Sequence, residues 1–192
     1  MSAAPPARKL ADGRASVRGR ARVGARSSVG ARASDGARSN ISVDVRRRVR
    51  AWAPARRDLT VWAGAALGRR AAGREIGVSV VGPAESRRLN ARFRGRDKPT
   101  NVLSFPVADL PSSAAGDEPR PLGDLVICPQ VLRSEAREQK KSLRAHWAHL
   151  VVHGSLHLIG YDHERDSDAD RMERREIAVL RRLGFANPYR SV

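Results

Sequence analysis

Leu143-Arg-Ala-His146-Trp-Ala-His149-Leu-Val-Val-His153-Gly-Ser-Leu-His157-Leu-Ile-Gly160-Tyr-Asp-His163 is the stretch on which both fold and chemistry turn. Its spacing predicts a long helix over 143–159, stopped before Gly160. At 3.6 residues per turn, His146, His149, His153 and His157 fall within an arc of roughly 80 degrees. Four of the five histidines thus share one stripe, and the fifth, His163, follows the Gly160 break, where the chain can turn back onto it.

Three imidazoles at spacings of four and six across a glycine point to a metal site on His153, His157 and His163. Three protein ligands leave one tetrahedral position open, as in catalytic rather than structural zinc sites. Imidazole favours zinc, although copper, nickel and iron(II) accept it too. One zinc ion is the expected cofactor, and hydrolysis the expected reaction class. His149, one turn before His153, is within reach of a supporting or proton-transfer role, although packing or a surface place is its simpler reading. His146 lies about 10 Å along the axis from His153, and packing is its simpler role.

The spacing H-x3-H-x2-G-x2-H is that of metzincin peptidases, in which a glutamate after the first histidine serves as general base. Here that position is Gly154. A peptidase without its base is a poor reading, and a glycine there fits a helix packed closely on its neighbour.

Outward from this segment, short elements alternate. Ile41, Val43 and Val45 alternate with polar residues as in a strand; 59–70 reads as a helix and 76–81 as a β-branched strand. A helix over 83–93 opens with Pro83 and closes before Gly95. Strands are expected at 101–105 and 122–128, separated by a loop of Pro, Ser, Gly and Asp. Helices follow at 129–140 and 166–183, the latter with acids in its first turn and Arg181 and Arg182 in its last. The expected class is α+β: a single domain over 41–192 with a small mixed sheet covered by helices. Strand order is not readable from such patterns.

Residues 1–40 differ in kind. They consist almost wholly of Ala, Arg, Gly and Ser, with Leu10 the only large aliphatic side chain apart from valines and the initiator. Such a segment buries too little apolar surface to offset its ordering entropy, so a disordered basic arm is expected. An RNA-binding tail, a transit peptide and an upstream start codon remain open readings of it. The 192 residues carry a net charge of +17, and those after position 40 still hold 28 cations against 18 carboxylates, or +10. The charge points to a polyanionic partner. No apolar stretch approaches the roughly 20 residues of a membrane span. Aromatics are only 4% of residues, so no base-stacking platform is evident. Cys128 is the only cysteine, read as a small buried thiol, and a reducing cytoplasm is the simplest compartment.

A second constellation runs Arg92-Phe-Arg94-Gly-Arg96-Asp-Lys98-Pro-Thr100-Asn101-Val-Leu-Ser104-Phe-Pro106. Cations clustered around Gly95 and Pro99 suit a phosphate, and a guanidinium near a metal stabilises charge on a phosphoryl group in transit.

The segments 94–106, Leu122-Gly-Asp-Leu-Val-Ile127 and 153–163 resemble the YbeY family of bacterial endoribonucleases, or rRNA maturation factors, over about residues 41–190. The resemblance implies a zinc-dependent, single-strand-specific endoribonuclease maturing the 3′ end of 16S rRNA and acting in ribosome quality control. It implies His153, His157 and His163 as zinc ligands and Arg94 as the functional arginine. Arg96, Lys98 and Ser104 are candidate substrate contacts. Implied partners are single-stranded rRNA and the ribosome or small-subunit precursor with its proteins, in the cytoplasm and away from membranes. Phe93 stands where tyrosine is frequent and Arg96 where lysine is frequent. The alternative from another class is a non-catalytic ribosome-associated assembly factor whose metal and basic cleft dock RNA or protein. Whether water or the 2′-hydroxyl is the nucleophile, and which group moves the proton, is open.

Overall fold

The computed structural model describes residues 41–107, 119–163 and 165–190. The arm expected over 1–40 and most of the loop expected between the third and fourth strands lie outside the described residues. In chain order the elements are β1 (Ile41–Arg47), α1 (Arg56–Leu67), a 3₁₀ turn (Gly68–Ala71), β2 (Arg74–Val80), α2 (Pro83–Arg94) and β3 (Val102–Pro106). Then come β4 (Arg120–Ile127), α3 (Pro129–Glu138), α4 (Leu143–Leu158) and α5 (Asp166–Arg182). This is the expected α+β class. Helix 59–70 starts three residues earlier and tightens into the 3₁₀ turn, and 129–140 stops at Glu138.

The strands form one mixed sheet in the order β1-β2-β4-β3. β1 pairs parallel with β2 and β2 with β4, while β3 runs antiparallel to β4 at the edge. Alternation along the strands sends Val43, Ile76, Val78, Val80, Leu125 and Ile127 into one core, where α1 and α4 cover them. Cys128, at the end of β4, is buried as a free thiol.

α4 is the central helix. Ser142 caps it by accepting a hydrogen bond from the Ala145 amide at 3.2 Å. From His146 to Leu158 every residue is buried except His149, His153 and His157. A helix apolar nearly all round belongs in the middle of a core, and beyond its first turn this one reaches solvent along its histidine stripe alone.

Gly154 explains how the helix lies so close to the sheet. A Cβ there would stand 2.8 Å from Leu125 Cδ2 and 3.1 Å from Ser104 Oγ. Even a methyl crowds both side chains, so packing disfavours a residue as large as the metzincin glutamate, and Ser104 on β3 is brought against the histidine helix.

Candidate metal centre

The helical spacing of His153 and His157 brings their rings together edge-on, with centroids 4.6 Å apart and planes at 79°. α4 ends at Leu158, and Gly160 adopts φ +85°, a conformation side chains rarely take, which turns the chain. The turn returns His163 to the stripe, its ring 4.9 Å from His157 and 5.6 Å from His153. One nitrogen from each of the three histidines lies within 4.8 Å of the others. The sequence-predicted triad is therefore assembled as one cluster able to chelate a divalent metal.

The donor set fits such an ion. His153 Nε2 and His157 Nε2 face one another at 3.2 Å, close to the edge of about 3.3 Å in a tetrahedron with bonds of 2.0–2.1 Å. His163 Nδ1 is shielded from solvent and has no hydrogen-bond partner. Burial, then the neighbouring charges of His153 and His163, push the His157 imidazole down to about 4. Burial likewise lowers His163, helped by His153 and, more weakly, by Arg94. At neutral pH both rings are uncharged, the state a metal requires.

The residue that sequence reasoning missed is Glu176, on α5, which is fully buried. Its Oε1 accepts from His153 Nδ1 at 2.7 Å, and its Oε2 from His149 Nε2 at 3.0 Å and from the Tyr189 hydroxyl. Burial pushes this carboxyl up, but the hydrogen bonds from His149 and His153 outweigh it and hold it at about 2. An ionised carboxylate only accepts, so both imidazoles must present N–H to it. His153 consequently carries its proton on Nδ1 and keeps the Nε2 lone pair for the cluster, the carboxylate–imidazole arrangement that orients metal ligands. His149, His153 and Glu176 also converge within 4.8 Å. Their contacts are hydrogen bonds, and they act as the support of the triad. The available signal was Glu176 itself, a carboxylate on the same buried stripe of α5 as Met172, Val179 and Leu180.

His149 thus supports the cluster through Glu176, where a packing or surface role was the simpler expectation. His146 is buried and bonds Glu135 Oε2 through Nε2 at 2.8 Å, a packing role.

The basic loop is fastened from behind. Gly95 closes α2 in the left-handed region, and Arg96 N donates to Asn90 O at 3.3 Å. Buried Ser86 donates to Thr100 O and accepts from Thr100 N, at 2.8 and 2.9 Å. Buried Asn90 donates to Lys98 O at 2.7 Å. Asn101 Nδ2 continues the fastening to Glu135 at 2.9 Å. Asp97, the one acid among these cations, forks onto Arg87 at 2.6 and 2.7 Å. Arg92, Arg94 and Lys98 are exposed, and Arg96 is half-buried. Arg94 is the loop cation whose charge is felt at His163. The sequence candidates therefore divide: the three histidines meet, Arg94 is near enough for its charge to lower His163, Ser104 lies against Gly154 of the same helix, and Arg96 and Lys98 lie further along the fastened loop.

Among solved structures, the chain is similar to the Thermotoga maritima protein TM1509, determined in solution. The two are 23% identical, with 77% of this chain and 94% of that one covered and a TM-score of 0.47. The family model described as endoribonuclease YbeY matches residues 53–184, which include the basic loop, the imidazole cluster and Glu176. By that match, and by a cluster suited to a metal-dependent nuclease, the chain belongs to the YbeY endoribonuclease family.

Proposed function

We propose that this protein is a zinc-dependent, single-strand-specific endoribonuclease that matures the 3′ end of 16S rRNA and serves ribosome quality control in the cytoplasm. The observation that carries the reading is the convergence of the His153, His157 and His163 nitrogens beside the charge of Arg94. Those three imidazoles would hold the ion, and Glu176 keeps the His153 proton on the far nitrogen. Zinc, when bound, supplies a Lewis acid able to polarise a phosphodiester oxygen.

The chain's own groups do the rest. Arg94 offers a guanidinium whose donors match phosphate oxygens and whose charge opposes the negative charge that grows during cleavage. Arg96, Lys98 and Ser104 extend the contact to neighbouring parts of the strand. The surplus of cations over carboxylates attracts the RNA at long range. Among the described residues no helix is long and apolar enough to cross a membrane. The ribosome or small-subunit precursor with its proteins is the proposed partner, and residues 41–192 the proposed nuclease domain.

Metal content and cleavage of single-stranded RNA, measured on one preparation, test this. His153→Ala should lose both, and Arg94→Ala should keep the metal and lose cleavage. Full rRNA processing in cells carrying His153→Ala would favour the assembly-factor reading instead. End-group analysis of the products identifies the nucleophile, since a cyclic phosphate would exclude direct attack by water.

A further inference from the structure

The last turn of α2 carries an aromatic ring that the core does not use. Phe93 is 54% exposed, although phenylalanine has no polar atom to keep in water. The ring is braced all the same. Phe105 of β3 meets it edge-on, with centroids 5.0 Å apart and planes at 73°. The Arg92 guanidinium carbon lies 5.2 Å from its centroid. Arg94 follows it in the chain, and both arginines are exposed. Low aromatic content argued against a stacking platform, yet two of the three phenylalanines are gathered at this one place, beside the fastened basic loop.

We propose that Phe93, flanked by Arg92 and Arg94, is the stacking platform for one unpaired nucleobase of the RNA substrate. The proposal rests on the single-stranded RNA reading above and names a nucleotide subsite within it. A nucleotide is a flat π-face joined to a phosphate, and this surface offers a ring and guanidiniums in adjacent positions. Every base has such a face, so the platform is tolerant of sequence. A base inside a duplex has both faces covered by its neighbours and cannot reach the ring, which gives single-strand selectivity a physical cause. A protein partner docking here would use the ring and leave the phosphate-matching cations without a purpose.

The test compares binding of the full-length chain to two uncleavable 2′-O-methyl single strands of equal length, one bearing bases and one abasic with the same phosphates. Phe93→Ala should weaken binding of the base-bearing strand about 5- to 140-fold, the range for one aromatic stack. Its binding of the abasic strand should change by less than about twofold. Phe93→Trp should bind the base-bearing strand at least as tightly as the wild type, and shows that the position tolerates exchange. Equal losses on both strands, no loss on the base-bearing strand, or no binding of either strand by the wild type would overturn the proposal. Cleavage of unmodified single-stranded RNA by the wild type is scored separately. Its absence with the Phe93 effect intact removes the nuclease reading and leaves the subsite.

Discussion

Replacing Glu176 by glutamine keeps the shape of the side chain and removes part of its accepting capacity. The carboxylate accepts from His153 Nδ1 at 2.7 Å, from His149 Nε2 at 3.0 Å and from the Tyr189 hydroxyl. A glutamine amide has one oxygen and one NH₂ to divide among them. With its oxygen toward His153, the NH₂ faces His149 Nε2 and the Tyr189 oxygen. Both can accept once His149 changes tautomer and the hydroxyl turns. His153 then keeps its Nδ1 proton, and only the negative charge that strengthens it as a ligand is lost. In the reverse orientation the NH₂ would meet the His153 N–H and drive that proton to Nε2, which blocks the ligating nitrogen. The first orientation keeps the His153 N–H bonded, at the cost of a His149 proton on a buried Nδ1 without a partner, and is the one expected. Zinc affinity should therefore fall about tenfold in Glu176→Gln and up to about 100-fold in Glu176→Ala, where nothing holds the ring. Competition with a chromophoric chelator at neutral pH measures this, with far-ultraviolet circular dichroism of each metal-free variant as the folding control. Wild-type zinc affinity in Glu176→Ala would refute the tautomer argument.

Gly154→Ala places a methyl 2.8 Å from Leu125 Cδ2 and 3.1 Å from Ser104 Oγ, so urea unfolding should report a loss of about 1–3 kcal/mol; unchanged stability would mean that the helix can withdraw from the sheet. Arg94→Ala should reduce the slope of log affinity for single-stranded RNA against log salt by about 0.7, one phosphate contact, and an unchanged slope removes Arg94 from the backbone contacts. Burial raises the Glu135 carboxyl, but hydrogen bonds from His146 and Asn101 outweigh it and leave its pKa below the ordinary value. Because the folded pKa is the lower one, its stabilisation is fully present above the unfolded pKa of about 4.5 and is lost as pH falls through the folded value. Glu135→Gln should therefore unfold more easily than wild type at neutral pH, with the gap closing toward pH 3 in paired urea titrations, and a gap independent of pH would contradict the assignment.

Local periodicity made much of this protein legible. The histidine stripe, the stop at Gly160, the cap-and-breaker pattern of α2 and the apolar alternation of β2 all depend on residues within one or two turns of each other. That is why the element types and the three candidate ligands emerged from sequence. Gly154 was legible as a close contact, but which atoms it meets, Leu125 and Ser104, required the sheet. Strand order was not legible, because β2 pairs with β4 across the intervening α2 and β3, and such parallel pairing is set by packing rather than by adjacent residues.

What the sequence by itself determined is the metal-ligand spacing, the positive charge and the kind of elements, since helical geometry and composition are local properties. Only the tertiary structure decided how His153 is held and what stands beside it. Glu176 lies 23 residues from His153 and Tyr189 a further 13 from Glu176, and they meet because α5 packs its buried face against α4. The exposure of Phe93 is likewise a tertiary fact: helical spacing gives the ring's place on α2, but only the packing of the strand edge and the Phe105 ring beside it leaves it half exposed.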